Sequence, residues 1–300
     1  MPLVSVIMPT YNRAELIVQA VRSVIAQTVP DWELIVVDDG STDDTVNKLQ
    51  TLAEPRLKLV HEPHISNSAR LRNIGVAASR GDYLAFLDSD DLWLPSKLEL
   101  QLQALLGKDG AWSYTDHELI DASGERMPRR AGRFSPISGY IARDLILDRT
   151  GASIITWLVP RNLFERTGGF DESLTMREDL DLVLRLAELG EAIPVAQALA
   201  LAREHPSRKT MAGADQHLRS ALVFQKAAQR LADPELKKLA RRRAARHHAA
   251  TGEQFVASGE LTKGLATIGR SLLGGAAFRQ CVQATATGCW RLLRHHLRSR

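Results

Sequence analysis

Asp88, Asp90 and Asp91 put three carboxylates within four residues, directly behind the apolar run YLAFL at 83–87. Packing gives no reason to gather like charge at the end of a buried strand, because repulsion and desolvation both oppose it. A hard divalent cation does give one, since Mg2+ and Mn2+ prefer carboxylate oxygens and keep open positions for water and phosphate. The structural alternative is an Asp-rich turn, with Asp90 or Asp91 capping a helix that begins in LWLPSKLEL. Glu178 and Asp179 form a second acidic pair, at the head of the amphipathic pattern EDLDLVLRLAELG. An acid there can act as a proton acceptor, but acidic residues in a first helical turn are also favoured by the helix dipole alone.

The elements that must position these groups alternate along the first 110 residues. Strand-like runs at 4–8, 33–39, 56–60 and 83–88 are separated by helical patterns at 14–27, 43–52 and 68–79. Such alternation predicts an α/β fold with a mostly parallel central sheet covered on both faces, whose strands read as continuous apolar runs. Ligands of such sheets bind beyond the carboxyl ends of the strands. Three polar sets fall there: Pro9, Thr10, Tyr11, Asn12 and Arg13; Asp38, Asp39, Gly40, Ser41 and Thr42; and Asp88 to Asp91. Turn and cap chemistry alone can account for Asp38, Asp39 and the neighbouring Asp43, and Ser41 and Asp43 are expected to perform it. From 111 to 203 the pattern loosens; WSYTD and ASIITWLVP read as strands and 178–190 as a helix stopped by Gly190.

Five segments in order and spacing carry a resemblance: PTYNR at 9–13, VVDDGSTDDT at 36–45, RNIG at 72–75, FLDSDD at 86–91, and GGFDE with REDLDLVLRL between 168 and 186. Over about residues 3–210 the chain resembles the inverting family 2 glycosyltransferases and their GT-A fold, a Rossmann-like nucleotide-diphospho-sugar transferase architecture. The resemblance implies that Pro9, Thr10 and Tyr11 border the nucleotide, that Asp39 hydrogen-bonds the uracil, that Arg72 lies near the nucleotide and that Asp88 approaches the ribose. Asp90 is the implied ligand of a Mn2+ or Mg2+ ion, with Asp88 beside it. Asp179, with Glu178 next to it, matches the acidic pair that supplies the base for the acceptor hydroxyl, and Asp181 is left as a helix-surface or capping residue. His205 stands where such enzymes often carry a histidine that closes the site, as a metal ligand or a diphosphate contact; an isolated surface histidine is the alternative. Trp157 and Arg177 are candidates for the acceptor pocket, core packing being the alternative for the tryptophan. The implied substrates are a nucleotide-diphospho-sugar, UDP foremost, and a glycan or lipid-linked acceptor of cell-surface polysaccharide synthesis. A non-catalytic sugar-nucleotide sensor or scaffold on the same fold is the rival. A nucleotidyltransferase is disfavoured, because PTYNR offers no glycine-rich phosphate loop.

Composition divides the chain. Residues 1–204 hold 21 Lys and Arg against 30 Asp and Glu, a net of −9, whereas 205–300 hold 18 against 5, a net of +13. The expected organisation is a catalytic domain over 1–210 and a basic helical extension over 211–300. In the extension, Trp290, Leu293 and Leu297 share one helical face beside Arg291, Arg294 and Arg298, the layout of an interfacial helix attracted to an anionic membrane. Packing of that stripe on the catalytic domain is the alternative. Nucleic acid is a poor partner, because no nucleic-acid module accompanies the arginines. Cys281 and Cys289 fit no metal spacing or disulfide framework. With no secretory signal and no apolar run near 20 residues, the expectation is a cytoplasmic protein, peripheral on the inner membrane face at most.

Overall fold

A computed structural model describes residues 2–128, 135–205, 214–273, 284–288 and 290–291. The chain divides into two compact units, Met1–Arg208 and Lys209–Arg300.

Among the described residues of the first unit, eight strands form one sheet. They are β1 (Val4–Thr10), β2 (Trp32–Asp38), β3 (Leu57–His61), β4 (Tyr83–Phe86), β5 (Leu92–Trp93), β6 (Trp112–Ile120), β7 (Leu158–Pro160) and β8 (Ala192–Arg203), in the spatial order β3-β2-β1-β4-β7-β6-β8-β5. The β3-β2-β1-β4 half is parallel. β7 runs antiparallel to β4 and β6, β8 is parallel to β6, and the short β5 is antiparallel to β8. The carboxyl ends of β1, β2, β4, β6 and β8 therefore share one edge, which is the edge the acidic sets occupy.

The helices follow the apolar spacing. In α1 (Ile17–Ile25), Ile17, Ala20, Val21 and Val24 are buried, at i, i+3, i+4 and i+7. Then come α2 (Thr45–Thr51) and α3 (Ser68–Ala77), the latter capped by Asn67, which accepts from Arg70 N at 3.1 Å. Gly75 lets α3 lie against the sheet, since a Cβ there would stand 2.5 Å from Ile7 Cγ2. After Asp91 the chain enters β5, and α4 (Lys97–Leu105) starts only later. The alternative of a helix cap at Asp90 or Asp91 is thus not met: Pro95 disfavours helix at Leu94, and α4 takes Ser96 as its N-cap. A second correction concerns 152–160, where Ile154–Thr156 is a 3-10 turn and only Leu158–Pro160 is strand. The unit is completed by α5 (Ala142–Leu147), α6 (Arg161–Thr167) and α7 (Glu178–Leu189).

The second unit contains α8 (Ala214–Arg230), α9 (Pro234–Ala257) and α10 (Leu261–Leu273). Asp233 caps α9, accepting from Glu235 N at 2.7 Å, and Pro234 occupies the first turn where its missing N–H costs nothing. Ala249, Val256, Ile268 and Ala284 form a small core. Trp290 is exposed and Arg291 pairs with Glu253, while Leu293, Arg294, Leu297, Arg298 and the two cysteines' side chains lie outside the described residues. No described helix is long and apolar enough to cross a membrane.

Candidate active site

The loop after β1 is zipped to the loop after β2. Asn12 N donates to Ser41 Oγ at 2.9 Å, Asn12 Oδ1 accepts from Thr42 N at 2.8 Å, and Arg13 N donates to Thr45 Oγ1 at 2.8 Å. Asp43 caps the following turn, accepting from Thr45 N at 3.0 Å and from Ala14 N at 3.1 Å. Asn12 sits at φ 49°, Ser66 at φ 57° and Arg177 at φ 65°, three non-glycine residues in the left-handed region. Such conformations cost of order 1–3 kcal/mol and persist where the surroundings over-determine them. Pro9 and Tyr11 are partly exposed and Thr10 is buried. Thr10 Oγ1 and Asp38 Oδ1 are buried without a partner at the ends of β1 and β2.

Asp39 is fully buried, and its carboxylate accepts from the backbone N–H groups of Ile65 at 2.6 Å and Ser66 at 3.0 Å. It thereby holds a loop in which His64 stacks on Tyr11, ring centroids 4.1 Å apart. The Tyr11–His64 pair is a planar aromatic surface on the strand edge, a suitable neighbour for a nucleobase. Gly40, at φ 71°, permits the close approach, because a Cβ would lie 3.0 Å from His64 N.

Arg72 occupies the centre of the edge. Its guanidinium donates to Glu178 Oε1 at 2.5 Å and to Asp88 Oδ1 at 2.8 Å, and lies over the Phe170 ring at 5.6 Å. Burial alone would push the guanidinium down; Asp88 and Glu178 beside it hold it above its ordinary value. Burial pushes the Glu178 carboxyl up, against the pull of Arg72 and with the repulsion of Asp179. Asp179 is partly exposed at the first turn of α7 and accepts from Leu180 N at 2.8 Å. Arg72 therefore ties the end of β4 to the start of α7.

His205 Nε2 stands 3.0 Å from Asp90 Oδ2, and the imidazole is only 6% exposed, so this histidine is no isolated surface residue. Arg13 Nε meets the same oxygen at 3.3 Å. Among the described residues no group of three His, Cys, Asp or Glu side chains converges to hold a metal ion. A carboxylate and an imidazole nevertheless fit a Mn2+-class cation that takes its remaining ligands from diphosphate and water.

Residues 5–156, which carry the parallel half of the sheet and this acidic edge, match the family model described as Glycosyl transferase family 2. A Bacillus subtilis glycosyltransferase named for teichuronic acid biosynthesis is 35% identical over 192 residues, 63% of this chain and 73% of that protein. The chain belongs to glycosyl transferase family 2. Family membership also fits an Escherichia coli protein named as a UDP-Glc:α-D-GlcNAc-diphosphoundecaprenol β-1,3-glucosyltransferase, 39% identical over 119 residues, 40% of this chain; the match spans 47% of that protein's length. Among solved structures, Staphylococcus aureus TarS 1–349 with UDP-GlcNAc superposes at TM-score 0.74 with 18% identity, over 97% of this chain and 89% of that one. A Pyrobaculum calidifontis mannosyltransferase with GDP-Man and Mn2+ gives TM-score 0.59 and 22% identity, over 99% and 82%. At such identities the likeness is one of fold, and the fold of this family 2 chain is GT-A.

Two expectations need correction. Trp157 is fully buried between Phe86 and Trp112 and lines no acceptor pocket; it is core. Asp181 is buried, not a surface or capping residue, because it pairs with Arg185 at 2.6 Å, and Arg185 in turn donates to Thr167 O and Gly169 O. Sequence reasoning passed over Arg203, buried at the end of β8 with Nε donating to Asp90 O at 3.0 Å; its signal was an arginine at the end of an apolar strand two residues before His205.

Proposed function

We propose that the chain is an inverting, metal-dependent glycosyltransferase that moves a sugar from a UDP-sugar to a glycan or lipid-linked acceptor in cell-surface polysaccharide synthesis. The observation that carries the proposal is the meeting of Asp90 and His205 with the Arg72-bridged Asp88, Glu178 and Asp179 at one sheet edge. The relatives' names, one for teichuronic acid and one for a diphosphoundecaprenol acceptor, support the acceptor class, and the TarS complex supports the UDP carrier.

In this account Pro9, Thr10, Tyr11 and the Asp39-anchored loop border the nucleotide, and Asp88 serves the ribose side. Asp90 and His205, with Asp88 adjacent, would hold the divalent cation, which when bound stabilises negative charge on the departing diphosphate. Arg72 acts through Asp88 and Glu178, holding the donor loop and the α7 terminus at fixed separation. Asp179 takes the proton of the acceptor hydroxyl as that oxygen bonds to the anomeric carbon and the carbon–oxygen bond to the nucleoside diphosphate breaks. Glu178, buried against Arg72, orients its neighbour rather than reacting. The domain division proposed is catalysis in 1–210 and, in the basic 211–300, attraction to an anionic membrane surface. The tests are thermal stabilisation by UDP-, GDP- and dTDP-sugars with and without Mn2+, repeated with Asp90→Ala. Stabilisation by UDP-sugars that needs Mn2+ and Asp90 supports the donor site; a folded protein stabilised by no donor would favour a scaffold instead.

A further inference from the structure

Arg203, the last residue of β8, is 1% exposed, and its donors reach three separate segments. Its backbone N–H donates to Asp91 Oδ1 at 2.7 Å and Nε to Asp90 O at 3.0 Å. Nη1 donates to Asp121 O at 3.3 Å and Ala122 O at 3.1 Å, just past β6, and Nη2 to Gln19 Oε1 at 2.9 Å on α1. His205, two residues further on, reaches the Asp90 carboxylate while Arg203 holds the Asp90 carbonyl. One strand end thus grips the acidic loop by its main chain, by the Asp91 side chain and by the Asp90 side chain. The main chain after Arg203 is fixed as well, because Glu204 N donates to Ile120 O at 2.8 Å.

We infer that Arg203 is a positioning residue: it sets the separation of Asp90 from His205, so that the two present a preformed pair of ligands to the divalent cation. The inference rests on the cation site proposed above. Removing a group that orients metal ligands costs about 10–100-fold in metal affinity. Holding flexible ligands fixed in advance of binding is what that loss measures.

The experiment is titration of Mn2+ into the full chain with UDP present, followed by electron paramagnetic resonance of the free ion, alongside the melting temperature of each variant. Wild type, Asp90→Asn, Arg203→Met and Gln19→Leu are compared. The expected result is binding by wild type, loss in Asp90→Asn, and a weakening of about tenfold or more in Arg203→Met at unchanged circular dichroism. Wild-type affinity in a folded Arg203→Met, with Asp90→Asn still deficient, would overturn the positioning role and leave the cation site standing. No binding by wild type would overturn both. If Arg203→Met does not fold, Gln19→Leu decides, since it removes the Nη2 contact from the far end; weaker Mn2+ binding at an unchanged melting temperature supports the role and unchanged binding overturns it.

Discussion

Replacing Arg72 with methionine keeps the length of the side chain and deletes the guanidinium. Glu178, 8% exposed, then loses its 2.5 Å partner, and Asp88 loses one at 2.8 Å. Removing one partner of a buried ion pair costs about 3–5 kcal/mol, because the other charge is left without compensation. In a unit of about 150–250 residues each kcal/mol moves the melting temperature by about 2–4 °C, so the unit containing Arg72 should melt roughly 6–20 °C lower. Adding Glu178→Gln to the methionine variant removes the stranded charge and should return about 1–3 kcal/mol. Tryptophan fluorescence is the assay, since Trp32, Trp93, Trp112 and Trp157 lie in the first unit and Trp290 alone in the second. Urea unfolding of the four members of this double-mutant cycle gives the coupling energy directly. An Arg72→Met protein within about 1 kcal/mol of wild type, or a double variant less stable than the single, would refute the claim that Arg72 bridges β4 and α7.

Lys97 is fully buried, donating to Gln101 Oε1 at 2.7 Å and Trp157 O at 3.3 Å, and burial pushes its ammonium well below the ordinary lysine range. The unfolded chain then binds a proton that the fold excludes, so stability rises with pH up to the unfolded value near 10.5, by at most about 1.4 kcal/mol per pH unit. Unfolding free energies at pH 8, 9 and 10, in the window below the unfolded value, should show that rise in wild type and a flatter profile in Lys97→Met; equal slopes would count against a lowered lysine. Gly75→Ala should destabilise by about 1–3 kcal/mol in the same urea assay, because the new methyl would overlap Ile7 Cγ2. Asp39→Ala frees the N–H groups of Ile65 and Ser66, and the expected effect is weaker UDP binding by calorimetry with Mn2+ affinity retained.

The first four parallel strands and their helices were legible because doubly covered strands are apolar throughout and the helices repeat every three to four residues. The acidic edge was legible for a related reason: carboxylates directly behind apolar runs at 36–39 and 83–91 have no packing explanation. What could not be read was which carboxylate answers which cation. Arg72 and Glu178 are 106 positions apart, and Arg203 meets Asp90 across 113, contacts that topology creates and that no local pattern announces. Asp181 was misjudged because an acid in a first helical turn has a sufficient local explanation, whereas its real partner Arg185 and the loop after α6 bury it. Trp157 failed as a pocket residue because the crossing of β7 between β4 and β6 puts it at mid-sheet, between Phe86 and Trp112.

The central claim is sugar transfer at this edge with Asp179 as the base. Its most direct test is incubation of the purified chain with Mn2+, labelled UDP-sugars and a diphosphate-lipid-linked acceptor, with nuclear magnetic resonance of the product's anomeric carbon. The account predicts a glycoside of inverted configuration, and an Asp179→Asn variant that binds the donor as wild type does while its turnover falls by about 100-fold or more. A retained anomeric configuration, or full turnover by Asp179→Asn, would contradict it.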